Sequence, residues 1–125
     1  MENEININIE IVRGDNRTFK FQRKTAQGSI ITDIPSEMYI TFKPNDLQVE
    51  YVIQKVMSKN EIEYDADTKY WKFELEPEDT NNLTYDNYLF DIEIITEENK
   101  VKTICEGILT ILPEITFASN EGGVS

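Results

Sequence analysis

Histidine is absent from this chain, and cysteine occurs once, as Cys105. These shortages exclude Cys/His zinc sites, cysteine–histidine nucleophiles, Ser–His–Asp triads and any internal disulfide. An enzyme built on this sequence would run on carboxylates, Lys, Tyr or Ser alone. The composition therefore points to a protein that is not an enzyme and uses no cofactor and no metal. Alanine is scarce too, at 3 residues, which argues against a helix bundle. No apolar run approaches transmembrane length, and Met1-Glu2-Asn3-Glu4 has neither the basic region nor the apolar core of a signal peptide. Cations are outnumbered: 12 Lys and Arg stand against 24 Asp and Glu, for a net charge of −12. Nucleic acid and anionic membranes would repel such a chain, so neither is an expected partner. Charge of one sign keeps a protein soluble. A sharper use would be an acidic decoy that blocks a nucleic-acid-binding protein.

What the sequence does hold is β-forming material. Leu, Ile, Val and Phe supply 35 of the 125 residues, enough to build one core, and 17 of these are isoleucine. Ile5, Ile7, Ile9 and Ile11 alternate with Asn6, Asn8 and Glu10, the pattern of a half-buried strand over Glu4–Val12. Gly14-Asp15 turns the chain into a second strand at Phe19 and Phe21, which pairs with the first or crosses to an opposing sheet. Ile30 and Ile31 form a short apolar pair between turns. Met38, Ile40 and Phe42 mark a third strand, ended by Lys43-Pro44-Asn45-Asp46. Val49–Met57 has helical spacing but β-branched content, and is assigned as a strand. Ile62 and Tyr64 lead through the polar turn Asp65–Lys69 to Trp71, Phe73 and Leu75, a hairpin anchored by the tryptophan. Glu76-Pro77-Glu78-Asp79-Thr80 has the proline and acids of a helix start, and the helix ends by Leu83. The alternating segment from Tyr88 to Ile94 and the strand Val101–Leu112 flank the turn Glu97–Lys100. Gly107 marks a bulge or a close approach within the last strand.

Ile115 and Phe117 suit a further short pairing segment, while residues 118–125 are expected to be a tail or a truncated linker. The expected domain is 1–117: an all-β antiparallel sandwich with one short helix. Its expected core is Ile5, Ile7, Ile9, Phe19, Phe21, Ile40, Phe42, Trp71, Phe73, Leu75, Tyr88, Phe90, Ile92 and Ile111.

Few residues suggest chemistry. Arg13-Gly14-Asp15 is the tripeptide that integrins read, but a turn with glycine at positive φ accounts for it. Asp65 and Asp67 lack the glycine and distal glutamate of an EF-hand. The acids between Glu74 and Glu98, a stretch free of Lys and Arg, fall mostly at turns and on outward strand positions. Cys105 lies in an apolar strand, where free cysteine acts as a small hydrophobe. All three arginines, Arg13, Arg17 and Arg23, cluster with Lys20 and Lys24. That basic stretch is the candidate assembly surface, able to steer an acidic neighbour or a second copy into place. The terminal segments Met1–Glu4 and Ile115–Ser125 are natural arms for an open sheet edge. Tyr39, Tyr51, Tyr64, Tyr70 and Tyr85 supply the aromatics that a carbohydrate-binding module would need.

The order of segments carries more than any one motif. The chain runs from Val12-Arg13-Gly14-Asp15 and the Phe19/Phe21 strand to Tyr39-Ile40-Thr41-Phe42-Lys43. It continues through Phe73-Glu74-Leu75-Glu76-Pro77-Glu78-Asp79-Thr80, Leu83 and Tyr88-Leu89-Phe90-Asp91-Ile92 to Gly107-Ile108-Leu109-Thr110-Ile111. Over about residues 5–117 this resembles the N-terminal domain of phage baseplate upper proteins and related small tail proteins of phages of Gram-positive bacteria. The resemblance implies an immunoglobulin-like sandwich that joins other tail or baseplate proteins in the virion. Such a protein is made in the bacterial host cytoplasm and has no catalytic residues or cofactor.

Overall fold

The computed structural model describes residues 2–44 and 50–114. The expected short pairing segment of Ile115 and Phe117, the 118–125 tail and the turn residues Asn45-Asp46 lie outside them. The described residues form eight strands: β1 (Ile5–Val12), β2 (Arg17–Phe21), β3 (Glu37–Pro44), β4 (Ile53–Val56), β5 (Ile62–Asp65), β6 (Tyr70–Leu75), β7 (Asn87–Ile95) and β8 (Val101–Leu112). They make a five-stranded sheet in the order β1-β8-β7-β3-β4 and a three-stranded sheet in the order β2-β6-β5. Every ladder is antiparallel except β1–β8, where Ile5 stands beside Cys105 and Val12 beside Leu112 in parallel register. Of the two courses open to the second strand, pairing with the first or crossing to the opposing sheet, the chain takes the second: β2 leaves β1 and pairs with β6 across the sandwich. This strand order is that of an immunoglobulin-like sandwich.

The core lies between the sheets, where period-two alternation delivers it. Met38, Ile40 and Phe42 on β3, with Phe90 and Ile92 on β7 and Leu109 and Ile111 on β8 beside them in the same sheet, face Trp71, Phe73 and Leu75 on β6, all buried. Ring contacts run from Phe19 to Phe73 at 5.4 Å, Phe73 to Phe42 at 6.3 Å and Phe42 to Phe90 at 5.3 Å. They tie the two sheets where antibody domains place a disulfide. Tyr88, at the start of β7, donates its hydroxyl to the Thr84 carbonyl at 3.1 Å. That bond fixes the turn into β7 as the tyrosine corner does in such sandwiches. The single-turn helix α1 (Pro77–Thr80) carries a reciprocal cap, in which Asp79 accepts the Glu76 N–H at 2.8 Å.

Several expectations change in detail. Ile5, Ile7, Ile9 and Phe19 pack against the core but are only half buried, because each lies on an edge strand: the isoleucines on β1, the last strand of the wider sheet, and Phe19 on β2, an edge of the narrower one. The expected strand at Val49–Met57 is β4 alone among the described residues. The chain then coils into a 3-10 turn, Met57–Lys59, closed by Asn60 in the left-handed region at φ 63°. Ile30–Ile31 is no strand; it contributes one bridge, between Ile30 and Lys24. The bulge of β8 sits at Ile104, where Ile92 pairs with Cys105 but Glu93 pairs with Thr103. The extra residue lets Ile104 and Cys105 both face inward. Gly107 is instead the close approach. A Cβ built there would stand 1.7 Å from the Ile7 carbonyl oxygen, so only glycine lets β1 lie against β8.

Candidate assembly surfaces

The basic residues singled out from the sequence have unlike surroundings. Arg23 is buried, and its guanidinium meets the Glu2 carboxylate at 2.8 Å and donates to the Asp33 carbonyl at 2.9 Å. Arg23 therefore belongs to the interior and not to an exposed patch. The same contact corrects the expectation of a loose N-terminal arm. Glu2 is buried in this pair and bridges Thr25, while the Asn3 N–H donates to the Lys24 carbonyl at 2.8 Å. A paired guanidinium, too costly to bury alone, holds the first described residues against the fold. Lys20 points outward from β2, directly opposite Lys72 of β6, and the Lys24 side chain is exposed. Arg17 lies over the Phe19 ring and donates to the Glu10 carbonyl of β1 at 2.7 Å.

Arg13 organises the turn after β1. Its guanidinium pairs with Glu114 at 2.8 Å, donates to the Leu83 carbonyl at 3.2 Å and lies over the Tyr85 ring at 4.3 Å. Tyr85 donates to the same carboxylate at 3.0 Å. The bonds from Arg13 and Tyr85 hold Glu114 below the usual carboxylate range, and the bond to Glu114 raises the Tyr85 phenol. Gly14, at φ 87°, donates its N–H to Thr80 of α1 at 2.9 Å. The Arg-Gly-Asp tripeptide is thus a turn clamped to the end of the sandwich.

The outer face of the five-stranded sheet carries a shallow groove of about 530 Å³. Leu89 and Ile108 give it an apolar floor, with Asn6 and Asn8 on the β1 side and Thr41 and Lys43 on the β3 side. Asp91 and Glu106 stand directly opposite each other across β7 and β8. Like charges in that position destabilise a sheet. Burial, then Glu93 and Glu106, raise the Asp91 carboxyl above its ordinary value, with Lys43 partly offsetting them. Behind this face Cys105 is buried, and burial with the charges of Asp91, Glu106 and Glu4 pushes its thiol up to about 11. A thiol so held is not a nucleophile at neutral pH. Composition revealed the excess of acid, but only strand register placed these two carboxylates together.

The remaining candidates resolve locally. The Asp65 carboxylate accepts the backbone N–H of Asp67 at 2.9 Å and of Thr68 at 3.4 Å, which lowers its pKa and closes the hairpin turn. Within the acidic stretch, Asp79 pairs with Lys55 at 2.8 Å and Glu74 accepts from Asn16 at 2.9 Å. A second hollow, of about 430 Å³, lies between Lys55, Lys72, Glu63 and Glu74. Of the tyrosines, Tyr64 packs on Trp71 at 4.7 Å and Tyr85 is engaged by Arg13, while Tyr51 and Tyr70 are exposed.

No family model matches this chain, and no curated protein matches it. Among solved structures, the chain is similar to CopC from Methylosinus trichosporium OB3b. The TM-score is 0.50 at 10% identity over 88% of each chain. It is also similar to the fibronectin(III)-like modules of CbhA from Clostridium thermocellum, at TM-score 0.41 and 8% identity over 86% of this chain and 91% of that one. At such identities the likeness concerns the fold, the immunoglobulin-like sandwich.

Proposed function

We propose that this domain is a non-enzymatic structural component of a phage or prophage virion, an adaptor that joins tail or baseplate proteins. The observation that carries the reading is the outer groove of the five-stranded sheet. Apolar Leu89 and Ile108 lie beside Asp91 and Glu106, two like charges held opposite each other at a cost in stability. A neighbour offering apolar side chains around a lysine or arginine would cover the floor and relieve the repulsion. The resemblance of the order of segments to that of baseplate upper proteins supports the same reading.

The test is capture of the neighbouring tail proteins on the immobilised domain, from low to high salt. Retention that falls with salt, and that is abolished when Asp91 and Glu106 are both changed to Lys in a folded variant, is the expected result. Retention unaffected by the double variant sinks the groove as the docking face. Binding instead to a host DNA-binding protein, in competition with DNA, would favour the acidic decoy. Retention on a glycan array would favour a carbohydrate-binding module.

A further inference from the structure

Among the described residues the sandwich has four edge strands, and three are guarded. β4 and β5 are short, at 4 residues each. β2 presents Arg17 and Lys20, and β5 also carries Glu63 and Asp65. Short length and charge are the usual means of keeping a sheet edge from pairing. β1 has neither at its centre: it is 8 residues long, and Ile5-Asn6-Ile7-Asn8-Ile9 carries no charge in a chain with 36 charged side chains.

The direction of its backbone groups is readable. The Ile7 carbonyl points at β8, since a Cβ on Gly107 would strike it, while the Glu10 carbonyl points away and is taken by Arg17. Neighbouring residues of a strand direct their N–H and C=O to opposite sides. Asn6 and Asn8 therefore turn theirs to the open edge, where no ladder meets them among the described residues. Their side chains are exposed, and Ile5, Ile7 and Ile9 beside them are half buried.

We infer that β1 pairs with β1 of a second copy, antiparallel about a two-fold axis at Ile7. The centre of β1 supplies what its own edge requires: isoleucine at positions 5, 7 and 9, which face the core, and neutral amides at Asn6 and Asn8, whose backbone groups face the open edge. In this register Asn6 exchanges both backbone hydrogen bonds with the partner's Asn8, and Asn8 with the partner's Asn6. Ile7 meets the partner's Ile7, and Ile5 meets the partner's Ile9, so the half-buried row is covered. Glu10 comes opposite the partner's Glu4, and Arg17, already on the Glu10 carbonyl, stands between them as the counter-charge. The two five-stranded sheets become one continuous sheet. An interface of one strand pair is small, so the dimer is weak and reversible. This inference does not rest on the virion reading, because it is argued from the β1 edge alone.

The test is sedimentation of the full chain from about 10 µM to 1 mM, with amide exchange read residue by residue. The mean mass should rise with concentration toward twice 14.6 kDa. Exchange at the Asn6 and Asn8 amides should slow together with that rise. Asn8→Pro removes a donor that β8 does not use, a change an edge strand tolerates, and should leave a folded monomer. Asn6→Lys with Asn8→Lys sets like charges opposite across the axis and should also dissociate the pair. Asn6→Lys with Asn8→Glu sets opposite charges there and should retain it, which tests the register. A parent that stays monomeric at 1 mM overturns the proposal. So does a folded Asn8→Pro variant that still dimerises, or a dimer whose Asn6 and Asn8 amides exchange freely.

Discussion

Replacing Gly107 with alanine tests the junction on which the five-stranded sheet depends. The added Cβ would lie 1.7 Å from the Ile7 carbonyl oxygen and 2.8 Å from a ring carbon of Phe90. An ordinary carbon–oxygen contact is about 3.3 Å, so β1 must withdraw by roughly 1.5 Å. The withdrawal breaks about two ladder hydrogen bonds, at about 0.5–1.5 kcal/mol each. It also uncovers part of Ile5, Ile7 and Ile9, worth about 1 kcal/mol apiece at half burial. The expected loss is roughly 3–6 kcal/mol, a large share of a domain's usual stability. For a chain of this size that lowers the melting temperature by roughly 10–25 °C. Amide exchange should place the damage in β1, with the β7–β8 ladder still protected. Gly28→Ala is the control: nothing lies within 4 Å of its added Cβ, and only its φ of 92° opposes the change. It should cost about 1–2 kcal/mol. A Gly107→Ala protein that melts within about 3 °C of the parent, with β1 amides still protected, would refute the close-approach reading.

Other outcomes follow from the same contacts. Glu2→Ala leaves the Arg23 guanidinium buried without its counter-charge and should cost about 3–5 kcal/mol, measured by urea denaturation. Tyr88→Phe removes the hydroxyl that donates to the Thr84 carbonyl and should cost about 1–2 kcal/mol by the same assay. Asp91 is raised, so the native state holds its proton more tightly than the unfolded chain does. This group's contribution to stability therefore grows as pH falls from neutral toward about 4 and is lost as pH rises again. Asp91→Asn should remove that contribution and melt about 1–4 °C higher at neutral pH, as pH-dependent melts would show. Cys105, with its thiol near 11, should resist alkylation in the native protein at pH 8 and react rapidly in denaturant.

Strand identity was legible in the chain because period-two alternation is a local property. Ile5 to Ile11, Met38 to Phe42, Trp71 to Leu75 and Tyr88 to Ile94 each announce a strand and the face it buries. The one-turn helix was legible in Pro77 and its acids, while the lone glycine of β8 signalled a bulge or a close approach without deciding between them. Which strands meet is not local. That β1 lies parallel to β8, at a separation of about a hundred residues, depends on the absence of a side chain at Gly107 opposite Ile7. The bulge at Ile104 escaped the sequence because one extra residue in a ladder exists only relative to its partner strand. The basic stretch 13–24 looked like one surface because its members are neighbours in the chain. Tertiary structure sent Arg23 inside to Glu2, Arg13 to Glu114 and Arg17 to the β1 edge, since a guanidinium goes where a carboxylate or a free carbonyl can meet it. The acidic pair Asp91 and Glu106 and the uncharged edge of β1 likewise arise from register and sheet order, and neither can be read from composition.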